Sequence, residues 1–396
     1  MALRILHIAP YGPEAWAYGG IPRVVGAMVH GLRARGHHVT LCTTDALDAR
    51  TRLSRPVAGS APDRRVFRNL SNRAAYHLQA FAPVGLRSFL DTNSAAFDLA
   101  HIHACHHVLG IMASRALARA GVPYVLSPNG TAPVFERRLV AKRVLQHLGG
   151  AEVMARASRV LAVSAAEVRQ LRVLGLAADA VAQVPNPVDL REFDGRQDGS
   201  RFRRAHGLDE RPLVLFLGKI TPRKGVRTLV EAFAQLAPGR AQLVIAGNDL
   251  GGLSEALVRA SALGFRDRVV LPGLLPGAER LDALAAADVV VYPSRDEVFG
   301  LVACESLLAG TPVIVGNDSG AAEVVASTGG GLAVTPGDVA GLARAIATVL
   351  DDGERWRRAA GDAGLRVRAL YGADTVVSAL ETVYDSVLGR ALQASA

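Results

Sequence analysis

Two carboxylates and two ammonium groups carry the sharpest chemical signal in this 396-residue chain. Glu297 and Glu305 stand eight residues apart in SRDEVFGLVACESLLAGTPVI (294–314), directly after the apolar run DVVVYPS. If the segment from about residue 300 is helical, its rise puts Glu305 roughly 8 Å beyond the first turn. One carboxylate at the tip and one deeper suit two separate diols of an elongated ligand, such as the hexose and ribose of a sugar nucleotide. Phe299, Gly300, Leu301 and Val302 form the first turn. Gly300 has no side chain, so a phosphate can approach the exposed N–H groups there. An acidic loop residue followed by a solvated helix glutamate would read the same in isolation. The flanking strand-like runs give the pair its weight.

The second signal is FLGKITPRKG (216–225), which follows an apolar run and opens a helix. The chain has three lysines, and two of them, Lys219 and Lys224, flank this turn. Gly218 sits where the backbone must leave the strand. A strand–turn–helix edge with cations suits a pyrophosphate, and two solvated loop lysines would satisfy the same pattern.

Paired glycines, Gly19 and Gly20, precede a helix after the first apolar run and allow close approach to a ligand phosphate. There is no full G-x-G-x-x-G and no acidic ribose ligand at the spacing of a dinucleotide oxidoreductase, which disfavours that class. Histidines cluster at 101, 103, 106 and 107 in HIHACHH. His101 and His103 alternate along a strand, and no carboxylate completes a zinc set, so no metal is expected there. His103, nearest the strand terminus, is expected to contact a sugar or phosphate.

These residues need a scaffold that brings loops together. LRILHIA, HVTLCT, LAHIHA, PYVLS, RVLAVS and VAQVP alternate with helical or loop segments. After the PNPVD linker (185–189) the pattern restarts with PLVLFLG, QLVIAG, RVVLPG, DVVVYPS and TPVIV. The stretch 45–63 reads as loop. Such alternation predicts an α/β chain with two doubly wound parallel sheets, each with its own core. Ligands on such sheets sit beyond the C-terminal strand ends, so two such domains would hold the site in a cleft between them.

Composition narrows the function classes. Half the residues are hydrophobic and about a fifth charged, which excludes disorder as the main state. Three scattered cysteines argue against a disulfide framework and for a reducing compartment. The N-terminal apolar stretch is too short for a secretory signal, and no apolar run is long enough to span a bilayer. Residues 1–187 carry 22 Lys+Arg against 10 Asp+Glu, whereas residues 188–396 carry 23 against 26. The basic first half suits an anionic partner such as a phospholipid surface or a phosphorylated acceptor. Aromatics make up 5% and do not interleave with the cations, so a nucleic-acid reader is disfavoured.

Together, FLGKITPRKGVRTLVEAF, RDEVFGLVACESLLAGTPVI, AVSAAEVRQL and VPNPVDLREF resemble the retaining glycosyltransferases of family 4, with similarity densest from about 181 to 338. The resemblance implies the GT-B fold. Residues 1–187 would form a Rossmann-like acceptor-side domain, joined by a last helix (about 373–396) that crosses back to it, and 188–372 would bind the nucleotide sugar. It implies transfer of a hexose, with retention, from a UDP- or GDP-sugar to a hydroxyl acceptor in envelope or exopolysaccharide assembly. In the family pattern the first glutamate (Glu297) contacts the donor sugar, the second (Glu305) the ribose, and Lys219 and Lys224 the diphosphate. Gly19 and Gly20 match its glycine-rich loop. No metal and no cofactor beyond the co-substrate are expected, since these groups suffice for the leaving-group charge. The implied location is cytoplasmic, with the inner membrane face as a candidate contact.

Four departures stand out, one of them in the linker, where Pro187 replaces the family's common glycine and is expected to stiffen the hinge. Lys219 replaces the family's usual arginine and loses its bidentate fork. Asn129, in SPNGTAP, stands where the family often has a donor-contacting histidine. Ala321 stands where a second glycine is usual. On the acceptor side, FERRLVAKRVLQHL (135–148) places Arg137, Arg138, Lys142 and Arg143 around an apolar stripe. This suits a membrane-surface helix or a lipid-diphosphate acceptor, and equally a solvated basic face. A nucleotide-sugar epimerase of the same fold, or a non-catalytic sugar-nucleotide-binding protein, would share most of these features. Conversion of donor alone, or binding without turnover, would mark them out.

Overall fold

Apolar runs of four or five residues without polar alternation must be covered on both faces, which parallel strands with crossover helices achieve. The computed structural model describes residues 2–54, 63–78, 80–133, 149–195 and 197–389. It divides into two units, residues 1–187 with 373–396, and residues 188–372.

The first unit holds a seven-stranded sheet of β1 (Arg4–Ile8), β2 (His38–Thr44), β3 (Arg64–Phe67), β4 (Leu99–His103), β5 (Tyr124–Ser127), β6 (Arg159–Ala162) and β7 (Val181–Gln183). Its order is β3-β2-β1-β4-β5-β6-β7. All neighbours are parallel, with Ile5 opposite Val39 on one side and Leu99 on the other. The second unit holds β8 (Leu213–Leu217), β9 (Gln242–Ala246), β10 (Val269–Gly273), β11 (Val289–Tyr292), β12 (Val313–Gly316) and β13 (Gly331–Val334). These are parallel too, in the order β10-β9-β8-β11-β12-β13. Central strands β4, β8 and β9 are buried along their whole length.

The sequence reading omits β3 and β13. Both are four-residue edge strands, largely half-buried, and β3 opens with two arginines. An edge strand with one neighbour needs no continuous apolar run, so the signal that finds the central strands is missing there.

The terminal helix Ala373–Val387 belongs to the first unit. It lies against the helix Gly20–Ala34, where a Cβ on Gly31 would come within 2.7 Å of Val377 Cγ2. Glu381 accepts hydrogen bonds from Arg35 (2.9 Å) and pairs with His37 (2.7 Å). Both passages of the chain between the units are neighbours within the second unit, since Val188 N donates to Tyr371 O at 2.8 Å.

Candidate active site

In doubly wound sheets, ligands gather where the strand order reverses, because adjacent loops there diverge to opposite faces. In the first unit the reversal lies between β1 and β4, and in the second between β8 and β11. The sequence candidates fall there. Gly19 and Gly20 follow β1, and His103 ends β4. Gly218, Lys219 and Lys224 follow β8, and Glu297 and Gly300 follow β11.

In the second unit, Lys224 and Glu297 meet. Lys224 ends a short 3-10 turn, Pro222–Lys224, and its Nζ donates to Glu297 Oε2 and to Tyr292 Oη. Tyr292, the last residue of β11, also donates to Glu297 Oε2 at 2.9 Å, with Ser294 Oγ at 3.4 Å. The ammonium lies 4.7 Å from the Tyr292 ring centroid. Burial by itself would raise the Glu297 pKa. The charges of Lys224 and Arg223, with hydrogen bonds from Lys224 and Tyr292, outweigh it and hold the carboxyl at about 2. Tyr292 is pushed well above the usual phenol range by burial and by the Glu297 charge. The result is a carboxylate ionised at all ordinary pH values, fixed by three groups.

Glycines make this arrangement possible. A Cβ on Gly218 (φ 145°) would stand 3.3 Å from Tyr292 Cε2. One on Gly300 (φ 74°) would stand 2.8 Å from the Ala321 side chain and 3.6 Å from Tyr292 Cε1. Gly300, expected from sequence to admit a phosphate, and Gly218, expected to turn the backbone out of the strand, thus also make room for the Tyr292 ring. Gly300 caps the helix Leu301–Leu308. Phe299 is buried edge-on against Tyr371 (centroids 5.6 Å apart), Val302 is buried and Leu301 half-buried. Any ligand contact in this turn therefore falls to the backbone rather than to the Phe299 ring.

Glu305 is 2% exposed on that helix, and its Oε2 lies 2.7 Å from Arg280 Nη1. Arg280, itself buried in the helix Gly277–Ala286, also binds Glu192. Burial lowers the Arg280 pKa, and the Glu192 charge opposes this. Lys219 is half-buried beside Gly218. Sequence reasoning missed Tyr292, Arg223 and Arg280. Tyr292 had a signal in the strand end VVVYPS, but Arg280, one arginine among many on a helix, had none.

The first unit departs from expectation at the histidines. His103 is completely buried and shares a 3.0 Å hydrogen bond with His7, on the neighbouring strand. His101 bonds Tyr384 Oη of the terminal helix and Ser127 Oγ, both at 2.7 Å. Burial lowers all three histidine pKa values: His103 to about 3, with His107 contributing, and His7 and His101 well below the ordinary imidazole range. The strand pairing that sets His7 opposite His101 draws His103 into an internal network instead of presenting it to a ligand. Nitrogens of His7, His101 and His103 lie within 4.8 Å of one another. Their ring contacts with Tyr384, Ser127 and each other already occupy much of that donor set, and no carboxylate stands among them. His107 caps the helix Val108–Ala120 by accepting from Gly110 N, and His106 Nε2 bonds Ala132 O.

Gly19 has φ 91° and precedes the helix that Gly20 begins. Among the described residues, four non-glycines have left-handed φ: Ala104 and His106 after β4, Asn129 after β5, and Asp296 after β11. Each costs about 1–3 kcal/mol, and such strain gathers at functional turns. Arg137, Arg138, Lys142 and Arg143 lie outside the described residues.

Comparisons with known proteins show the family and the fold. The model described as "Glycosyl transferases group 1" matches residues 198–364, and that described as "Glycosyl transferase 4-like domain" matches 19–187. The chain is 30% identical over 414 aligned residues to a D-inositol 3-phosphate glycosyltransferase of Xylanimonas cellulosilytica, covering 98% of this chain and 97% of that protein. It is 32% identical to a 2-deoxystreptamine N-acetyl-D-glucosaminyltransferase of Streptomyces fradiae, over 74% and 72% of the two chains. A structure of Anabaena Alr3699/HepE in complex with UDP-glucose superposes with TM-score 0.75 at 21% identity, covering 97% of this chain and 100% of that one. The two Rossmann-like units are those of the GT-B fold.

Proposed function

The chain belongs to the group 1 glycosyltransferases, and from that premise we propose that it moves a hexose from a UDP-sugar to a hydroxyl of a small cyclitol, with retention at the anomeric carbon. The observation that carries this reading is the Lys224–Glu297–Tyr292 cluster beside the helix Leu301–Leu308. A hexosyl diphosphate that breaks its anomeric bond builds negative charge on the β-phosphate. Lys219, Lys224 and the N–H groups at Phe299–Leu301 would offset it. Glu297, permanently ionised, would accept hydrogen bonds from the hexose hydroxyls, and Glu305 would take the ribose. In a front-face displacement the departing phosphate oxygen takes the acceptor proton, so no side chain need serve as base. The Anabaena structure, which holds UDP-glucose, supports the uridine donor, and a GDP-sugar is the alternative. Acceptors in two relatives' names, inositol 3-phosphate and 2-deoxystreptamine, are both cyclitols and support that class. The site residues named here supply the charges themselves, which supports a reaction that needs no metal.

The test is a matrix of UDP-glucose, UDP-N-acetylglucosamine and GDP-mannose against inositol 3-phosphate, 2-deoxystreptamine and lipid-linked glycans, read by mass spectrometry with NMR of the anomeric linkage. An inverted linkage would remove the retaining mechanism. Epimerised donor without transfer would favour the epimerase.

One described surface keeps a membrane-bound acceptor in view. Residues 68–70 and 82–84 pair in antiparallel fashion, with Val84 N donating to Arg68 O (2.8 Å) and Leu70 N to Ala82 O (3.1 Å). Asn69 and Pro83 point inward, so Arg68, Leu70 (71% exposed) and Val84 (53%) share the outer side. Apolar side chains flanked by arginine suit an anionic lipid surface.

A further inference from the structure

The turn after β5 is held more firmly than its exposure explains. Asn129 and Gly130 both take left-handed conformations (φ 51° and 76°). Ordinarily such a turn would be free to relax. Here it is gripped from two sides. On the β6 side, Glu167 is 1% exposed and spends its two carboxylate oxygens on backbone amides: Oε1 accepts from Gly130 N at 2.5 Å, and Oε2 from Val163 N at 2.9 Å. Glu167 is fixed in turn by Ser164, whose Oγ caps the helix Ala165–Val173 by accepting from Glu167 N at 3.1 Å. On the β4 side, Thr131 Oγ1 donates to Pro128 O (2.5 Å) and accepts from Cys105 N (2.7 Å). Ala104 N donates to Ser127 O, and His106 Nε2 bonds Ala132 O. The left-handed turns after β4 and β5 are thereby locked together.

What the lock holds in place is the Asn129 amide. Its Nδ2 donates to Ser127 O at a long 3.4 Å, and its Oδ1 has no hydrogen-bond partner among the described residues. A buried carbonyl oxygen without a donor is costly unless a hydroxyl of something else supplies one. Building it into a strained turn, and clamping that turn with a buried carboxylate, is the construction of a pre-set hydrogen-bond acceptor. We propose that Glu167 is a positioning residue for glycosyl transfer: its carboxylate holds the Asn129–Gly130 turn so that Asn129 receives a substrate hydroxyl. The proposal rests on the glycosyltransferase reading above for its chemistry, but the clamp itself is testable without it.

Glu167→Gln exchanges one amide-accepting oxygen for an NH2 that opposes a backbone N–H. Hydrogen exchange on the full chain should then be at least tenfold faster for the Gly130 amide, with the sheet of the second unit unchanged. UDP affinity by calorimetry should stay within twofold. With the donor and acceptor found active for the wild type, kcat should fall at least tenfold at nearly constant donor KM. Asn129→Ala should fall similarly, and adding Glu167→Gln to it should cost less than a further twofold, because both act through one turn. Should Glu167→Gln fold poorly, Glu167→Asp keeps the charge, is one methylene too short to reach both amides, and should show the same pattern more weakly. Unchanged Gly130 exchange in a folded variant overturns the clamp. Faster exchange with unchanged kcat, or fully multiplicative losses in the double variant, overturns the positioning role. A wild type that transfers nothing counts against the glycosyltransferase function, and the exchange measurement still decides the clamp.

Discussion

Lys224 and Glu297 lie 73 positions apart in sequence, yet the Lys224 ammonium donates directly to the Glu297 carboxylate, with side chains 11% and 14% exposed. Residues assigned from sequence to two different parts of a sugar nucleotide are thus one electrostatic unit. Any ligand phosphate that draws on Lys224 must also act on the charge and orientation of Glu297.

That coupling sets the first expectation. Lys224→Ala leaves a buried carboxylate without its cation and should cost about 3–5 kcal/mol of unfolding free energy. The folded-state pKa of Glu297, about 2, lies below its unfolded value, so its contribution is complete above the unfolded pKa and fades as pH falls toward 2. In Lys224→Ala, burial is less opposed and the pKa rises toward or above its unfolded value, so the acid-dependent loss of stability should shrink or reverse sign. Adding Glu297→Gln should recover much of the cost. Urea unfolding of both variants decides it, and equal costs in the single and double variants would refute the coupling.

Glu305 and Arg280 give the second. If Glu305 holds the ribose, Glu305→Ala should weaken UDP binding by roughly 1.5–3 kcal/mol, about 10- to 150-fold. It also removes one partner of Arg280, which is 4% exposed and still paired with Glu192. Arg280→Met should therefore weaken UDP binding as well, by freeing the Glu305 carboxylate to turn. Calorimetry showing full affinity in Glu305→Ala with an intact fold would take Glu305 out of the site.

Buried imidazoles give the third. His7, His101 and His103 stay neutral in the folded chain, whereas their unfolded pKa values are near 6.5. Between pH 6.5 and about 4 the unfolded chain binds protons that the native chain does not, so stability falls as pH falls, by up to about 1.4 kcal/mol per pH unit for each histidine. Arg33 beside His7 and His107 beside His103 reinforce the neutral form. In His101→Gln the loss between pH 6.5 and 5 should be shallower than in wild type. Parallel slopes would mean that His101 titrates normally.

Lys219 gives the fourth. Lys219→Arg restores the guanidinium fork and should keep or improve donor KM, while Lys219→Ala should lose both affinity and rate, because phosphate charge grows in the transition state. Equal losses in both variants would show that shape, not charge, governs this position.

The membrane contact gives the last. If Arg68, Leu70 and Val84 touch lipid, the protein should pellet with phosphatidylglycerol vesicles but not phosphatidylcholine ones, less so at 0.5 M salt. Leu70→Glu with Val84→Glu should abolish pelleting and leave UDP affinity unchanged. No pelleting of wild type at low salt would discard the contact.

The sequence alone determined the alternation of strands and helices, and with it two doubly wound sheets, because a strand buried on both faces must be a short unbroken apolar run. It also pointed to the turns that hold its candidates: turns after such runs are where the backbone exposes amides, and Lys219, Lys224, Glu297 and Gly300 all sit in them. It could not find β3 or β13, whose edge positions need no such run. Nor could it tell which candidates meet. Strand register placed His7 opposite His101, and the terminal helix brought Tyr384 to them, which turned His103 inward. Only the parallel pairing of β11 beside β8 at the sheet reversal put Tyr292 between Gly218 and Gly300 and tied Lys224 to Glu297. Charge and hydrogen bonding act over a few ångströms in space, and spacing along the chain reports that distance only within a single helix or strand.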